Sequence, residues 1–189
     1  EEAGWIWDLL EEKEFQDGKN LEEFKRALAQ IQTQGRRCKD ITFKLLSFAR
    51  KTAATMQDIQ VNYLIEDLVA LSAQRAKYSM VEVKTELVEE LPMVRVSVSE
   101  LQQVFLNLIN NAIDAMGYKG GKLTLSTRAQ NGFAVVDVTD TGSGIPAANL
   151  NRIFDPFFTT KAVGKGAGLG LSICYGIINK LGGRIEVVS

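Results

Sequence analysis

The chain has 189 residues, 46% of them hydrophobic and 24% charged, with a formal net charge of −1. That composition suits one globular domain or slightly more, and gives no electrostatic reason to expect nucleic acid or an anionic membrane as partner. The lack of any histidine excludes Ser-His-Asp and Cys-His catalysis, histidine-held metals and histidine pH switching together.

No apolar run approaches the roughly 18–20 residues needed to span a bilayer. The first residue is Glu1 rather than Met, so a piece of a longer protein is expected. Cys38 and Cys174 each fall within an apolar helical stripe, which suits core packing in a reducing compartment better than a disulfide. With no Cys or His cluster, any metal should be a hard cation held by oxygen.

Ala3 to Glu14 reads as the end of a helix, and Asp17-Gly18-Lys19-Asn20 as a turn. A second helix is expected from Leu21 to Lys51. Its seam of Leu21, Phe24, Leu28, Ile31, Cys38, Ile41, Leu45 and Phe48 has coiled-coil spacing, interrupted at Gly35. Such a hairpin cannot bury its seam alone, so a helical bundle with a second chain, a homodimer, is expected. Val61 to Lys77 is the next amphipathic helix. Strands follow at Val81–Leu87 and Val94–Val96, then a helix over Ser97–Met116 opened by a capping box of Ser97 and Glu100. Lys122–Arg128 and Phe133–Thr139 are strand-like, joined by the hairpin signal Asn131-Gly132. A helix over Gly168–Leu181 stops at Gly182-Gly183, and Arg184–Val188 is expected to begin a strand. The whole reads as α+β: a two-layer α/β sandwich, a mixed sheet with helices on one face, preceded by a long helical hairpin. The boundary is expected near residue 55, separating 1–55 from 56–189.

Three places break local rules. On the Ser97–Met116 helix, Leu101, Val104, Phe105, Leu108, Ala112 and Ala115 form the expected buried stripe. Asn107 and Asn111 project from one face a turn apart, although Asn is a poor mid-helix residue. Together with Asn110 they form either a solvated polar face or amide oxygens for Mg²⁺ and polyphosphate. In the last hairpin strand, Asp140 falls in phase with Ala134, Val136 and Val138. A carboxylate there needs a hydrogen-bond donor, such as an exocyclic amine of adenine. Gly142 and Gly144 would let a flat ring approach the backbone. Asp-Thr-Gly-Ser is also an aspartic protease signature, but that chemistry needs paired aspartates and no second copy occurs. Lastly, Gly164-Lys165-Gly166-Ala167-Gly168-Leu169-Gly170-Leu171 runs into a helix, offering backbone N–H groups and a helix dipole to an anion. Before it lies Phe154-Asp155-Pro156-Phe157-Phe158-Thr159-Thr160-Lys161, whose aromatics would anchor a loop carrying Lys161 and Lys165 toward phosphates.

Asn-Leu-x-x-Asn-Ala (107–112), Asp-Thr-Gly-Ser-Gly-Ile (140–145), Phe-Asp-Pro-Phe-Phe (154–158) and Gly-Ala-Gly-Leu-Gly-Leu (166–171), in that order, resemble the four boxes of bacterial sensor histidine kinases. Those enzymes share an ATPase fold with gyrase, the ninety-kilodalton chaperones and the mismatch-repair ATPases. The likeness covers roughly residues 56–189, and the preceding helix resembles part of the kinases' dimerisation and phosphoacceptor domain. The resemblance implies that Asp140 binds the adenine amine, with Gly142, Gly144 and Ile145 beside the ring. It implies Mg²⁺ and phosphate on Asn107 and Asn111, and a lid over 155–168. Asp114, Phe157, Lys165, Gly166, Gly168, Leu169 and Gly170 would complete the ATP site, with Lys161 joining the two asparagines in catalysis. The reaction implied is transfer of the γ-phosphoryl group to a histidine, then to a response regulator receiver domain, in the cytoplasm. The parent's membrane anchoring stays open, without membrane contact by this piece. The family's acceptor histidine is expected upstream of this sequence and a final strand beyond it, so the piece by itself should not phosphorylate itself. Ala167 stands where these kinases often carry Thr. Alternatives are a non-catalytic nucleotide-binding or dimerisation scaffold, and a hydrolase of the same ATPase group. The hydrolases carry a glutamate base at the position of Asn107, and Asn cannot take a proton.

Overall fold

The computed structural model describes residues 23–35, 55–161 and 166–189. The chain divides into two units, Glu1–Arg50 and Lys51–Ser189. In the first, residues 23–35 are helical (α1), as far as Gly35. The expected helix over Ala3–Glu14, the Asp17–Asn20 turn and seam residues Leu21, Cys38, Ile41, Leu45 and Phe48 lie outside the described residues.

In the second unit, β1 (Met56–Ile59) and β3 (Val94–Ser97) form an antiparallel pair. A mixed sheet holds β2 (Val81–Glu86), β4 (Gly121–Gln130) and β5 (Phe133–Asp140) in the order β2-β4-β5. β2 runs parallel to β4, and β5 antiparallel. The β4–β5 turn follows from its residues: Asn131 and Gly132 take φ of 51° and 81°, and a tight hairpin needs both positive. Helices α2 (Val61–Tyr78) and α3 (Val98–Met116) cover the sheet. Ile65 and Leu68 of α2, Phe105, Ile109 and Ile113 of α3, and Leu123 and Leu125 of β4 share one core. A single turn of 3₁₀ helix, Gly117–Lys119, follows α3, and a short α4 (Ala147–Leu150) precedes α5 (Gly170–Lys180). The architecture is α+β with a mixed sheet, as the sequence indicates.

A partly buried polar knot holds the segment after β2. Asn62 donates from Nδ2 to the carbonyl of Val88 at 2.6 Å and accepts from Thr127 Oγ1 at 3.0 Å. The N–H of Val88 donates to the same Thr127 oxygen at 3.1 Å. Each polar group in the ring has a partner, which is the condition for burying it cheaply.

Three local expectations are corrected, and one strand is added. Only half of the capping box forms: Ser97 Oγ accepts the Glu100 N–H at 3.4 Å, but Glu100 Oε1 turns to Lys180 Nζ at 2.6 Å. A full charge outcompetes a backbone donor for that carboxylate. On α3, Ile109, Ile113 and Met116 are buried, whereas Leu108 and Ala115 are only half-buried. The 3.6-residue period turns those two toward the flank of the helix. Arg184–Val188 is not a strand. Ile185 and Val187 are half-buried between exposed neighbours, so the two-residue alternation survives, but no ladder partner exists among the described residues. Strand β1 was not foreseen, because Met56-Gln57-Asp58-Ile59 is almost wholly exposed and carries no alternation.

Candidate functional site

Helices α3 and α5 are antiparallel, and three contacts show it. Glu100 meets Lys180, the Cys174 thiol points at the Val104 carbonyl at 3.7 Å, and Asn107 Nδ2 donates to the Gly170 carbonyl at 3.4 Å. Residue numbers rise along one helix as they fall along the other, so the N-terminus of α5 comes to rest against the middle of α3. A Cβ on Gly170 would stand 3.7 Å from both Asn107 Oδ1 and Asn111 Nδ2. No side chain caps the start of α5 at Leu169. Its first N–H groups and the positive end of its dipole are therefore open to an anion beside two amide side chains.

The last turn of α3 meets the end of β5. Asp140 Oδ1 accepts the Gly142 N–H at 2.8 Å, and the Ser143 N–H donates to the Ala115 carbonyl at 3.3 Å. Gly142 lies so close to α3 that a Cβ there would stand 2.8 Å from Ala115 Cβ and 2.9 Å from Ala115 C. From Asn107 to Ala115 the helix rises about 12 Å, the span of an extended nucleotide. One edge of α3 thus carries a carboxylate and glycine turn at one end and amides with an open helix terminus at the other.

Between them sits Asp114. Its Oδ2 takes Lys161 Nζ at 2.7 Å and its Oδ1 takes Arg75 Nη2 at 2.6 Å. Arg75 Nη1 also donates to Asn110 Oδ1.

Residues 96–189 match the family described as histidine kinase-, DNA gyrase B- and HSP90-like ATPase. The catalytic domain of histidine kinase ThkA superposes with a TM-score of 0.60 at 33% identity, over 66% of this chain and 80% of that one. The chain belongs to the histidine kinase family. ThkA in complex with response regulator protein TrrA aligns at a TM-score of 0.67 and 25% identity, over 96% of this chain and 50% of that one. Sensor kinase CckA of Brucella abortus is 38% identical over 170 residues, 82% of this chain and 18% of CckA. Sensor histidine kinase ZraS of Escherichia coli K12 is 35% identical over 164 residues, 86% of this chain and 34% of ZraS. The chain therefore spans a minor part of these curated relatives.

In this histidine kinase domain, Asn107, Asn111 and Gly170 come together, as do Asp140 and Gly142. Gly144 takes a φ of +66°, and the N–H of Ile145 donates to Ser189 Oγ at 2.6 Å. The aromatic segment is anchored at two of its three phenylalanines. Phe154 packs on Tyr175 of α5 with centroids 5.1 Å apart, and Arg152 lies 4.7 Å over the Phe158 ring. Phe157 is 67% exposed and takes a φ of 67°. Its backbone abuts Gly168, also left-handed, where a Cβ would lie 2.6 Å from the carbonyl oxygens of Phe157 and Phe158. Only glycine fits there. Gly166 stands against Lys161 and Thr159, Leu169 is buried, and Lys165 lies outside the described residues.

Sequence reasoning missed Arg75. It sits on α2 among Leu71, Gln74 and Tyr78 and looks like any surface arginine; only the fold sets it beside Asn110 and Asp114. Cys174 is fully buried, and that burial pushes its thiol up to about 11 despite a hydrogen bond with Asn107. It is a packing residue of α5. No helix among the described residues is long and apolar enough to cross a membrane.

Proposed function

We propose that this chain binds ATP along the exposed edge of α3. On this reading it is the catalytic core that transfers the γ-phosphoryl group to a histidine for relay to a response regulator. The observation that carries the reading is the pairing of two ends on one helix: Asp140 with Gly142 against Ala115, and the uncapped start of α5 against Asn107 and Asn111. Asp140 would accept the adenine amine, with Gly142, Gly144 and Ile145 along the ring, Phe157 and Leu169 completing the pocket, and Asp114 acting at its edge through Lys161. Gly166, Gly168 and Gly170 would offer backbone to the phosphates, with Lys161 and Lys165 as counter-charges.

The oxygen donors that would hold Mg²⁺ are the amides of Asn107 and Asn111, which meet beside Gly170 at the open start of α5. Bound there, Mg²⁺ would neutralise phosphate charge. The rest of the catalysis is positioning. A histidine nitrogen forms the P–N bond as the bond from the γ-phosphorus to its bridging oxygen breaks and ADP leaves. Asn107 offers no base to activate water, which favours transfer over hydrolysis.

Residues 1–55 would belong to a dimerising, phosphoacceptor helical hairpin and 56–189 to the ATP-binding domain. The partners are then a second copy of the chain and a receiver domain, in the cytoplasm where ATP is supplied. The solved ThkA–TrrA complex supports the receiver partner. Calorimetric titration of Mg-ATP into the chain tests the reading. Asp140→Asn removes a charge-assisted acceptor worth about 1.5–3 kcal/mol, roughly tenfold or more in affinity. Absence of binding to the unmodified chain, or equal binding by the variant, overturns the assignment.

A further inference from the structure

We propose that Arg75 and Asp114 are positioning residues, which hold the Lys161 ammonium where it meets the phosphates of the bound nucleotide. This rests on the nucleotide-binding reading and adds the residues that aim one of its charges. Asp114 follows Asn111 by three residues and Asn107 by seven, so all three lie on one helical face. Lys161 arrives from 47 residues away and donates to Asp114 Oδ2 at 2.7 Å.

An isolated pair at this level of exposure would fix little, because a lysine has a long flexible stem and a surface pair contributes about 0–1 kcal/mol. Here the carboxylate is gripped from the other side. Arg75 Nη2 holds Asp114 Oδ1 at 2.6 Å while Arg75 Nη1 holds Asn110 Oδ1. The planar guanidinium therefore clamps two side chains one helical turn apart and sets the direction of Asp114. Lys161 Nζ has three donors and Asp114 uses one, leaving two for phosphate oxygens. Arg75 and Lys161 around one carboxylate leave a single net positive charge beside Asn111. With a cation on each oxygen, Asp114 is not set to receive a ligand group itself.

The test is a double-mutant cycle on the full 189-residue chain, with adenosine and Mg-ADP as the titrated probes and circular dichroism to confirm folding. Asp114→Asn and Arg75→Ala should each weaken Mg-ADP about tenfold and leave adenosine unchanged. Arg75→Lys should recover part of the loss. In a Lys161→Ala background, Asp114→Asn should have no further effect on Mg-ADP, because the residue it positions is gone. Equal loss of both probes, no loss of either, tighter Mg-ADP binding, or full additivity with Lys161→Ala overturns the assignment. Should one variant fail to fold, the other carries the same cycle. Failure of the unmodified chain to bind either probe refutes the nucleotide reading itself and this inference with it, and is distinguished by the wild-type titration alone.

Discussion

Gly142→Ala is the substitution whose consequence the packing defines most sharply. An added methyl would stand 2.7 Å from Asp140 Oδ1, 2.8 Å from Ala115 Cβ and 2.9 Å from Ala115 C. Two of those neighbours belong to α3, whose inner face is locked into the core, so the turn must move instead. Overpacking of this kind costs about 1–3 kcal/mol, and a unit of this size loses roughly 3–5 °C of Tm per kcal/mol. The same displacement pulls the Gly142 N–H off Asp140 and swings the carboxylate, so adenosine affinity should fall at least about tenfold. Gly170→Ala is the control for packing. Its methyl would find its nearest neighbours at 3.7 Å, ordinary contact, so its Tm should stay within about 2 °C of the parent's. Differential scanning calorimetry and adenosine titration read both. If Gly142→Ala melts and binds like the parent, the turn does not pack on α3 as described and the adenine end of the site loses its foundation.

Other outcomes follow from buried groups. Asn62→Ala removes the donor to the Val88 carbonyl and the acceptor of the hydroxyl of Thr127, a residue only 4% exposed. It should lower unfolding stability by about 2–3 kcal/mol in urea, and a change under about 0.5 kcal/mol would show that water replaces the knot. The Cys174 thiol, raised from near 9 to about 11 by burial, should resist thiol reagents at pH 8 until the chain unfolds. Between those two values the unfolded chain has lost the proton that the folded chain keeps. Stability should therefore fall as pH rises, by about 1.4 kcal/mol per unit at most. Alkaline urea titrations of Cys174→Ala should lack that component; an unchanged alkaline slope would assign it to other groups.

The sequence makes the secondary elements legible wherever one segment contains its own reason. Asn131-Gly132 names a turn, Ser97 names a helix start, and the spacing of Asn107 and Asn111 names a face. Legibility ends where the deciding partner is remote. Glu100 looks committed to Ser97 until Lys180 is brought to it, 80 residues away. Strand β1 has meaning only against β3, and Arg184–Val188 has the alternation of a strand without a ladder. The site divides the same way. Its glycines and asparagines announce themselves because they are poor choices locally, whereas Arg75 is an ordinary choice on an exposed helix and acquires its role through tertiary contact. Asn110, an equally poor mid-helix residue, engages that arginine instead of Gly170.

The contact of Phe157 with Gly168 has a consequence for how this domain tolerates change. Two backbones pressed together at those residues close a loop at its neck, so the intervening chain leaves and returns at one point. Its length is then uncoupled from the spacing of the elements on either side. Doubling such a loop adds only about 0.6 kcal/mol of closure entropy, none of it transmitted to α5 or the sheet. The neck, by contrast, admits no side chain at Gly168. A side chain is therefore forbidden at Gly168, whereas added length between the two residues is cheap as long as Lys161 keeps its ion pair with Asp114, so insertions can be accommodated there without rebuilding the ATPase fold.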